Sequence, residues 1–135
     1  NDVSMAASAV SAIPEARKFL LELQHKIASE NDVIMDGRDI GTVILPDADV
    51  KIYLTASSNA RAKRRWLELK EKENCPSLED IEKDIILRDY NDMHRETAPL
   101  KQADDAVLLD TSDLDFVQSC ESVKKIIDSK INGDN

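Results

Sequence analysis

Three short apolar runs along the chain predict three β-strands. They lie near residues 33–36, 51–55 and 106–110, and turn-forming or charged residues flank them. The first run, Val33-Ile34-Met35, contains no polar residue, which is typical of a strand that is buried on both faces of a parallel sheet. We therefore expect a small parallel sheet built from these three segments.

The segments between the apolar runs have the period of amphipathic helices. Apolar residues recur along them at intervals of three and four, which places these residues on one face of a helix. Pro14 and either Ser57 or Ser58 stand where they favour a helix start. The predicted helices cover residues 3–12, Pro14 to Ile27, Ser58 to about Lys72, Leu78 to about Met93 and Phe116 to Ile127. Strands that alternate with helices predict the α/β class.

A cluster of charged residues and glycine directly follows the first apolar run. Asp36-Gly37-Arg38-Asp39 would leave the sheet at the carboxyl end of a strand, and ligands of open α/β sheets bind beyond such ends. The cluster is therefore a candidate ligand site. An ordinary Asp-Gly turn with solvated charges is the alternative interpretation.

The predicted helix from Leu78 has an apolar face that continues as a charged one. At about 100° per residue, charged residues near its C-terminal end point in the same direction as the apolar residues before them. Solvated charges normally lie opposite the apolar face, so this continuation indicates a polar cleft. The alternative is an exposed ion-pair ladder of Asp84, Arg88 and Asp92. The face consists of Leu78, Ile81, Ile85, Arg88, Asp92 and Arg95.

Arginine is confined to one part of the chain. All seven arginines lie within the first 95 residues, and arginine is the residue best suited to bidentate recognition of phosphate or carboxylate. Arg61, Arg64 and Arg65 share one side of a predicted helix, where they form either a salt-bridge face with Glu68 or an anion clamp. Arg17 lies in the first turn of its helix, where a cation needs a compensating partner or remains solvated.

The overall composition narrows the possible partners. The 27 acidic residues outnumber the 18 basic ones, and the formal charge is −9, which disfavours a nucleic-acid or anionic-membrane surface. No apolar run reaches the roughly 18 residues of a membrane span and no signal-type N-terminus is present, so we expect a cytoplasmic protein. Cys75 and Cys120 are expected to be free thiols. His25 and His94 lack the partners of a metal site or a catalytic dyad.

Five segments of the chain, considered together, carry a family resemblance that runs from about Val3 to Ile131. They are Asp36 to Val43, Leu45 to Ala48, Lys51 to Leu54, Arg61 to Arg65, and Arg88 through Arg95 to Leu100. In this order and spacing the chain resembles the bacterial cytidylate (CMP/dCMP) kinases of the P-loop nucleoside-monophosphate kinase superfamily. The resemblance implies transfer of the γ-phosphoryl group of ATP to CMP or dCMP, which gives CDP or dCDP.

The resemblance also implies roles for individual residues of this sequence. Phosphoryl transfer requires positioning and positive charge around the transferred group, which arginine forks provide. The implied substrate contacts are Ser8, Arg17 and Asp39 for the cytosine ring, Arg38 and Arg95 for the monophosphate, and Arg88 with Asp92 for the ribose. The implied catalytic residues are Arg38, Arg64, Arg65 and Arg95.

The chain departs from this family in one respect. Such kinases hold ATP in a loop of the form G-x-x-x-x-G-K-[ST], whereas the only glycines here are Gly37, Gly41 and Gly133. The resemblance therefore implies part of a P-loop nucleoside-monophosphate kinase fold, without the central first strand that the family places between segments 33–36 and 51–55. We expect residues 1–135 to be the C-terminal part of a single kinase domain. Its expected regions are 1–30 (helical part of the monophosphate site), 31–60 (core), about 61–95 (lid and flanking helices) and 96–135 (core).

The partners implied by the resemblance are nucleotides. ATP and CMP or dCMP would be the substrates, and Mg²⁺ would be bound with ATP, since no metal-binding motif is visible here. The full-length protein would be a monomer that binds neither nucleic acid nor membrane. Two alternatives stay open. One is a catalytically inactive nucleotide-binding or interaction fragment, and the other is a kinase for another monophosphate, such as UMP or dTMP.

Overall fold

A computed structural model describes residues 10, 13–71 and 74–133. Its α-helices are α1 (Pro14–Glu30), α2 (Ser58–Leu69), α3 (Leu78–His94) and α4 (Phe116–Asn132). Its strands are β1 (Ile52–Thr55) and β2 (Val107–Asp110), and a π-helical turn covers Ile40–Ile44. The helix predicted over residues 3–12 lies almost entirely outside the described residues.

β1 and β2 form a two-stranded parallel sheet. Ile52 lies opposite Val107 and Thr55 lies opposite Asp110, and α2 and α3 form the connection between the two strands. A parallel pair needs a long crossover of this kind, usually a helical one. The α/β class and the parallel sheet predicted from the sequence are therefore confirmed, and two of the three predicted strands are present.

The prediction of a strand near residues 33–36 is wrong for the described residues. Residues 32–36 are irregular and belong to no sheet, and Ile34 is 95% exposed. A strand exists only where a neighbouring strand satisfies its N–H and C=O groups. Among the described residues β1 and β2 pair only with each other, and no segment pairs with the apolar run 33–36. The sheet order expected from the family resemblance stays a prediction.

The helices begin where the local capping chemistry predicts. Pro14 occupies the first turn of α1, where its missing N–H leaves no hydrogen bond unmade. The Ser57 and Ser77 hydroxyls each accept the backbone N–H three residues further on, at 3.2 and 3.1 Å. Asp115 and Gln118 form a reciprocal capping box at α4. α2 ends at Leu69, slightly before the predicted Lys72.

The described residues bury little apolar surface. Only Ile44, Ala56, Ala62 and Ile81 are buried among the apolar residues that the structure describes. The apolar face predicted for α1 is not buried. Phe19 is 65% exposed, and its neighbours on that face also remain accessible to solvent. α2 and α3 pack against each other, and this pair carries the side chains that meet near the carboxyl end of β1.

Candidate functional site

Asp39 is the centre of a cluster of charged side chains. It is 8% exposed and immediately precedes the π-helical turn. Arg17 Nη2, from the first turn of α1, donates a hydrogen bond to Asp39 Oδ2. Arg95 Nη2, directly after α3, lies 4.0 Å from Asp39 Oδ1. Arg17 therefore has the compensating partner that its position at a helix start requires.

The π-helical turn fixes the backbone at Asp39. The Asp39 carbonyl oxygen accepts the N–H groups of Val43 at 2.9 Å and Ile44 at 3.2 Å. Gly37 allows the close approach of Ile40, because a Cβ atom on residue 37 would lie 2.9 Å from Ile40 Cγ1. Short π-helical segments occur frequently at functional sites. The plain Asp-Gly turn is therefore too simple a description of this segment.

α1 is attached to this turn at a second point. His25 Nε2 lies 2.7 Å from the carbonyl oxygen of Ile44, which is the last residue of the turn. The carbonyl can only accept, so the imidazole N–H is the donor. Together with Arg17 and Asp39, this contact holds α1 at both ends of the segment 39–44.

A second ion pair joins the Asp-Gly-Arg-Asp segment to α3. Arg38 Nε donates to Asp92 Oδ2 at 2.9 Å. The exposed ion-pair ladder of Asp84, Arg88 and Asp92 is therefore not formed, and the Arg88 side chain makes no hydrogen bond or ion pair within the described ranges. On the face that runs from Leu78 to Arg95, Asp92 therefore contacts another segment, whereas Arg88 is exposed.

The end of α3 is folded back on itself. Arg95 Nε donates to the carbonyl oxygen of Ala98 at 2.6 Å, and Leu100 N–H donates to the carbonyl oxygen of Asp92 at 2.8 Å. Ala98 has a φ of 49°, in the left-handed region that costs a non-glycine residue about 1–2 kcal/mol. These bonds hold the Arg95 side chain against Asp39.

The structure brings together five of the residues that the sequence singled out, which we call the Asp39 cluster. Its members are Arg17, Arg38, Asp39, Asp92 and Arg95. Three guanidinium groups surround two carboxylates, so the cluster keeps an excess of positive charge within an acidic chain. Such an excess favours a small anion as ligand. Arg88 is exposed and lies outside these contacts, and Ser8 lies outside the described residues.

The three arginines of α2 have three different partners and do not converge. Arg65 Nη1 forms an ion pair with Glu68 Oε2 at 2.8 Å. Arg64 donates to the carbonyl oxygens of Thr111 and Leu114, the latter at 3.2 Å. The predicted salt-bridge face therefore describes only Arg65. An anion clamp would require Arg64 and Arg65 to leave their present partners.

The third arginine, Arg61, forms a bidentate pair with Asp89 of α3, which the sequence did not indicate. The N–O distances are 2.9 Å and 2.6 Å. The Asp89 carboxylate raises the pKa of the Arg61 guanidinium through these hydrogen bonds, and burial opposes that shift. In the sequence Asp89 stands out only as the residue that directly follows Arg88. The partner of Asp89, 28 residues away, had no signal of its own.

A cavity of about 220 Å³ opens at the carboxyl ends of β1 and β2. Its walls include Thr55, Arg61, Asp89 and Thr111. Thr111 is 5% exposed and its hydroxyl donates to the carbonyl oxygen of Thr55 at 3.0 Å. This is the edge at which open α/β sheets bind ligands.

The described part of the chain contains neither a metal-binding cluster nor a membrane-spanning helix. Over residues 10, 13–71 and 74–133, no group of three or more His, Cys, Asp or Glu side chains is arranged to hold a metal ion. None of the helices described there combines the length and apolarity of a membrane span. Cys75 and Cys120 are free, as predicted.

Comparison with known proteins gives one consistent match. The family model for cytidylate kinase matches residues 1–129. The chain is 50% identical over 129 residues to the cytidylate kinase of Lactobacillus johnsonii, a match that covers 96% of this chain and 56% of that protein. It is 51% identical over 124 residues to the cytidylate kinase of Streptococcus pneumoniae strain Hungary19A-6, covering 92% and 56% respectively. The chain therefore spans about half the length of the curated relatives it matches.

The matched region includes the whole candidate site. The matched region contains every member of the Asp39 cluster as well as the arginines of α2. Because the family model covers nearly the whole chain, this protein belongs to the cytidylate kinase family.

Proposed function

We propose that this chain carries most of the monophosphate site of an enzyme that transfers the γ-phosphoryl group of ATP to CMP or dCMP. The products are CDP or dCDP, together with ADP. The observation that supports this proposal is the Asp39 cluster, in which the buried Asp39 carboxylate meets arginines from two other segments, Arg17 of α1 and Arg95 after α3. Membership of the cytidylate kinase family supports a cytidine monophosphate as the substrate.

Asp39 and Arg17 are proposed to recognise the base. Cytosine presents an amino donor beside a ring acceptor, whereas uracil presents a carbonyl acceptor beside an N–H donor. The Asp39 carboxylate accepts hydrogen bonds and Arg17 donates them, so the pair is complementary to cytosine. Both side chains already contact each other, which keeps them oriented before a ligand binds. Ser8 is proposed as a third contact to the ring.

Arg38 and Arg95 are proposed to bind the monophosphate. Their side chains are 42% and 33% exposed, which leaves N–H groups accessible to a phosphate. Paired guanidinium groups bind phosphate oxygens with directional hydrogen bonds. Holding the acceptor phosphate in place is the main contribution that phosphoryl transfer requires from the protein. Asp92 and Arg88 are proposed to contact the ribose.

Arg64 and Arg65 are proposed to act on the transferred phosphoryl group. Arg64 donates to two carbonyl oxygens and Arg65 to Glu68, so each would exchange these partners for phosphate oxygens. Mg²⁺ is proposed to be bound with ATP. The described side chains include no group of three or more His, Cys, Asp or Glu suited to hold it.

The 135-residue chain by itself is proposed to bind CMP without turning it over. It contains no glycine-rich loop with the lysine that cradles a triphosphate. This is the observation that favours the second candidate function, a nucleotide-binding fragment without catalytic activity.

Isothermal titration of this chain with CMP and UMP, combined with a coupled assay of ADP release, tests these proposals. We expect tighter binding of CMP than of UMP and no turnover. In Asp39→Ala the difference between CMP and UMP should disappear, whereas Asp84→Ala, an exposed aspartate on α3, should keep it. A folded chain that binds neither nucleotide would contradict the proposed function. Release of ADP by this chain would contradict the proposed lack of turnover.

A further inference from the structure

We propose that Arg61 and Asp89 form a positioning pair that sets the orientation of α3 and thereby places Asp92 and Arg95 in the monophosphate site. This inference rests on the proposed function. It assigns Arg61 a role other than phosphate binding, although Arg61 belongs to the same arginine group as Arg64 and Arg65. The argument uses the contacts of the guanidinium group, the geometry of α3, and the contacts that remain if the pair is broken.

Each of the three guanidinium nitrogens of Arg61 donates a hydrogen bond. Nη1 and Nη2 donate to the two Asp89 oxygens at 2.9 and 2.6 Å, and Nε donates to the carbonyl oxygen of Ala56 at 2.9 Å. Ala56 is 7% exposed and directly follows β1. Two parallel N–H···O bonds fix the direction as well as the distance of a carboxylate. Arg61 therefore connects the end of a sheet strand to one defined point of α3.

The geometry of α3 transmits this constraint to the site. Asp92 follows Asp89 by three residues, which corresponds to a rise of about 4.5 Å and a rotation of about 300° along a helix. Asp92 in turn contacts Arg38 at 2.9 Å. The two ion pairs leave the helix in different directions, so together they fix its rotation about its own axis. Arg95, which directly follows the helix, takes its position from that orientation.

The other polar contacts between α2 and α3 lie further from the site. Glu82, near the beginning of α3, accepts from Ser58 Oγ at 2.8 Å and from Asn59 Nδ2 at 3.3 Å. These contacts would keep the first half of α3 attached to α2 if Asp89 were changed. The second half, which carries Asp92, would lose its connection to β1 through Arg61. Loss of the pair should therefore alter substrate binding while the helices remain paired.

The conservative variant Asp89→Asn separates positioning from direct phosphate binding. It removes the charge and one acceptor oxygen of the pair, and it releases Arg61 from its partner. If Arg61 were a phosphate ligand, this release would leave CMP affinity unchanged or increase it. If the pair positions α3, CMP affinity should fall by about tenfold, because residues that act as a unit lose their joint effect when one of them is changed.

Isothermal titration with CMP and UMP is to be done on the wild-type chain, Asp89→Asn, Arg61→Gln and the double variant. We expect Asp89→Asn to weaken both nucleotides by about tenfold while keeping the preference for CMP, because Asp39 and Arg17 are unchanged. We also expect Asp89→Asn to cause little further loss in the Arg61→Gln background. The matched control is Lys124→Gln with Asp128→Asn, an exposed ion pair on α4, which should keep wild-type affinity.

The outcomes separate this inference from the proposed function. Unchanged or increased CMP affinity in Asp89→Asn would overturn the positioning pair and leave the proposed function intact. Absence of CMP binding by the wild-type chain would overturn both. Circular dichroism and thermal unfolding show whether each variant folds, and Arg61→Lys, which keeps the charge, is the second variant if Asp89→Asn does not fold. Failure of both to fold would also overturn the inference, because the pair would then be required for the fold itself.

Discussion

Arg38 and Asp92 are each other's ion-pair partner although 54 residues separate them, with Arg38 Nε 2.9 Å from Asp92 Oδ2. Both belong to the proposed monophosphate site, Arg38 for phosphate and Asp92 for ribose. A phosphate that binds Arg38 would therefore compete with the Asp92 carboxylate. Asp92 would in turn be released to accept a hydrogen bond from a ribose hydroxyl. The pair links the binding of the two parts of a nucleotide.

Asp92→Asn should increase the affinity of the chain for inorganic phosphate. The change removes the carboxylate that competes for Arg38, and a partly exposed ion pair of this kind contributes up to about 1 kcal/mol, or about fivefold in affinity. Phosphate is the appropriate probe because it has no ribose and does not use the proposed ribose contact of Asp92. Titration of phosphate at low ionic strength, where screening is weak, measures the effect.

Two variants check that prediction. Asp84→Asn removes a charge from an exposed position on the same helix and should have a smaller effect than Asp92→Asn. Arg38→Gln combined with Asp92→Asn should lose the gain. Equal gains in Asp84→Asn and Asp92→Asn would show that only the net charge of the chain matters, and would contradict direct competition for Arg38.

His25→Ala should lower the free energy of unfolding by about 1 kcal/mol, the usual net contribution of one hydrogen bond. The imidazole donates to the carbonyl oxygen of Ile44 at 2.7 Å and attaches α1 to the π-helical turn. CMP affinity should fall as well, because this turn begins beside Asp39. Urea denaturation and isothermal titration give the two quantities. His25→Gln, whose amide can also donate, should recover most of both, and a glutamine variant no better than alanine would contradict this role.

The parts of the fold that the sequence predicted correctly depend on local chemistry. Ser57, one of the two predicted capping residues, determines the start of α2 within three or four residues of itself. The strand near residues 33–36 was predicted from an equally clear apolar run, yet a strand also needs a hydrogen-bonding partner. That partner is a non-local condition, and the described chain does not provide it.

The candidate site shows the same limit. The charged end of the apolar face of α3 indicated that Asp92 would contact another segment, and Asp92 does contact Arg38. Helical phase could not identify the segment that Asp92 contacts. It also could not reveal that Asp89, which points from α3 in a different direction, pairs with Arg61. The arginines of α2 have adjacent positions but different partners, because each partner comes from a distant part of the chain.

Asp105→Asn should make the stability of the chain fall less steeply as the pH is lowered. Lys51 Nζ, on a side chain 8% exposed, donates to both Asp105 oxygens at 2.9 and 2.7 Å. These bonds are the main reason why the pKa of Asp105 is lowered. A carboxyl with a lowered folded-state pKa adds stability above its unfolded pKa of about 3.9, and that stability is lost as the pH falls through the folded-state pKa.

Urea midpoints measured between about pH 2 and pH 6 test the acid prediction. The wild-type midpoint should fall more steeply with decreasing pH than that of Asp105→Asn. Asp104→Asn is the matched control, since Asp104 is the exposed neighbour and its replacement should keep the wild-type slope. Identical slopes for the wild type and Asp105→Asn would contradict the contribution of the Lys51 pair.

Asp39→Asn should shift the preference of the chain from CMP toward UMP. The asparagine amide can donate to the uracil carbonyl, whereas the carboxylate only accepts and would repel that oxygen. A well-formed pair of hydrogen bonds to a base discriminates by about 1–3 kcal/mol, so the ratio of the two affinities should change by at least about tenfold. Asp36→Asn changes an exposed carboxylate of the same segment and should keep the wild-type ratio. Competitive titration with both nucleotides measures the ratio, and an unchanged preference for CMP in a folded Asp39→Asn chain would exclude Asp39 as the residue that recognises the base.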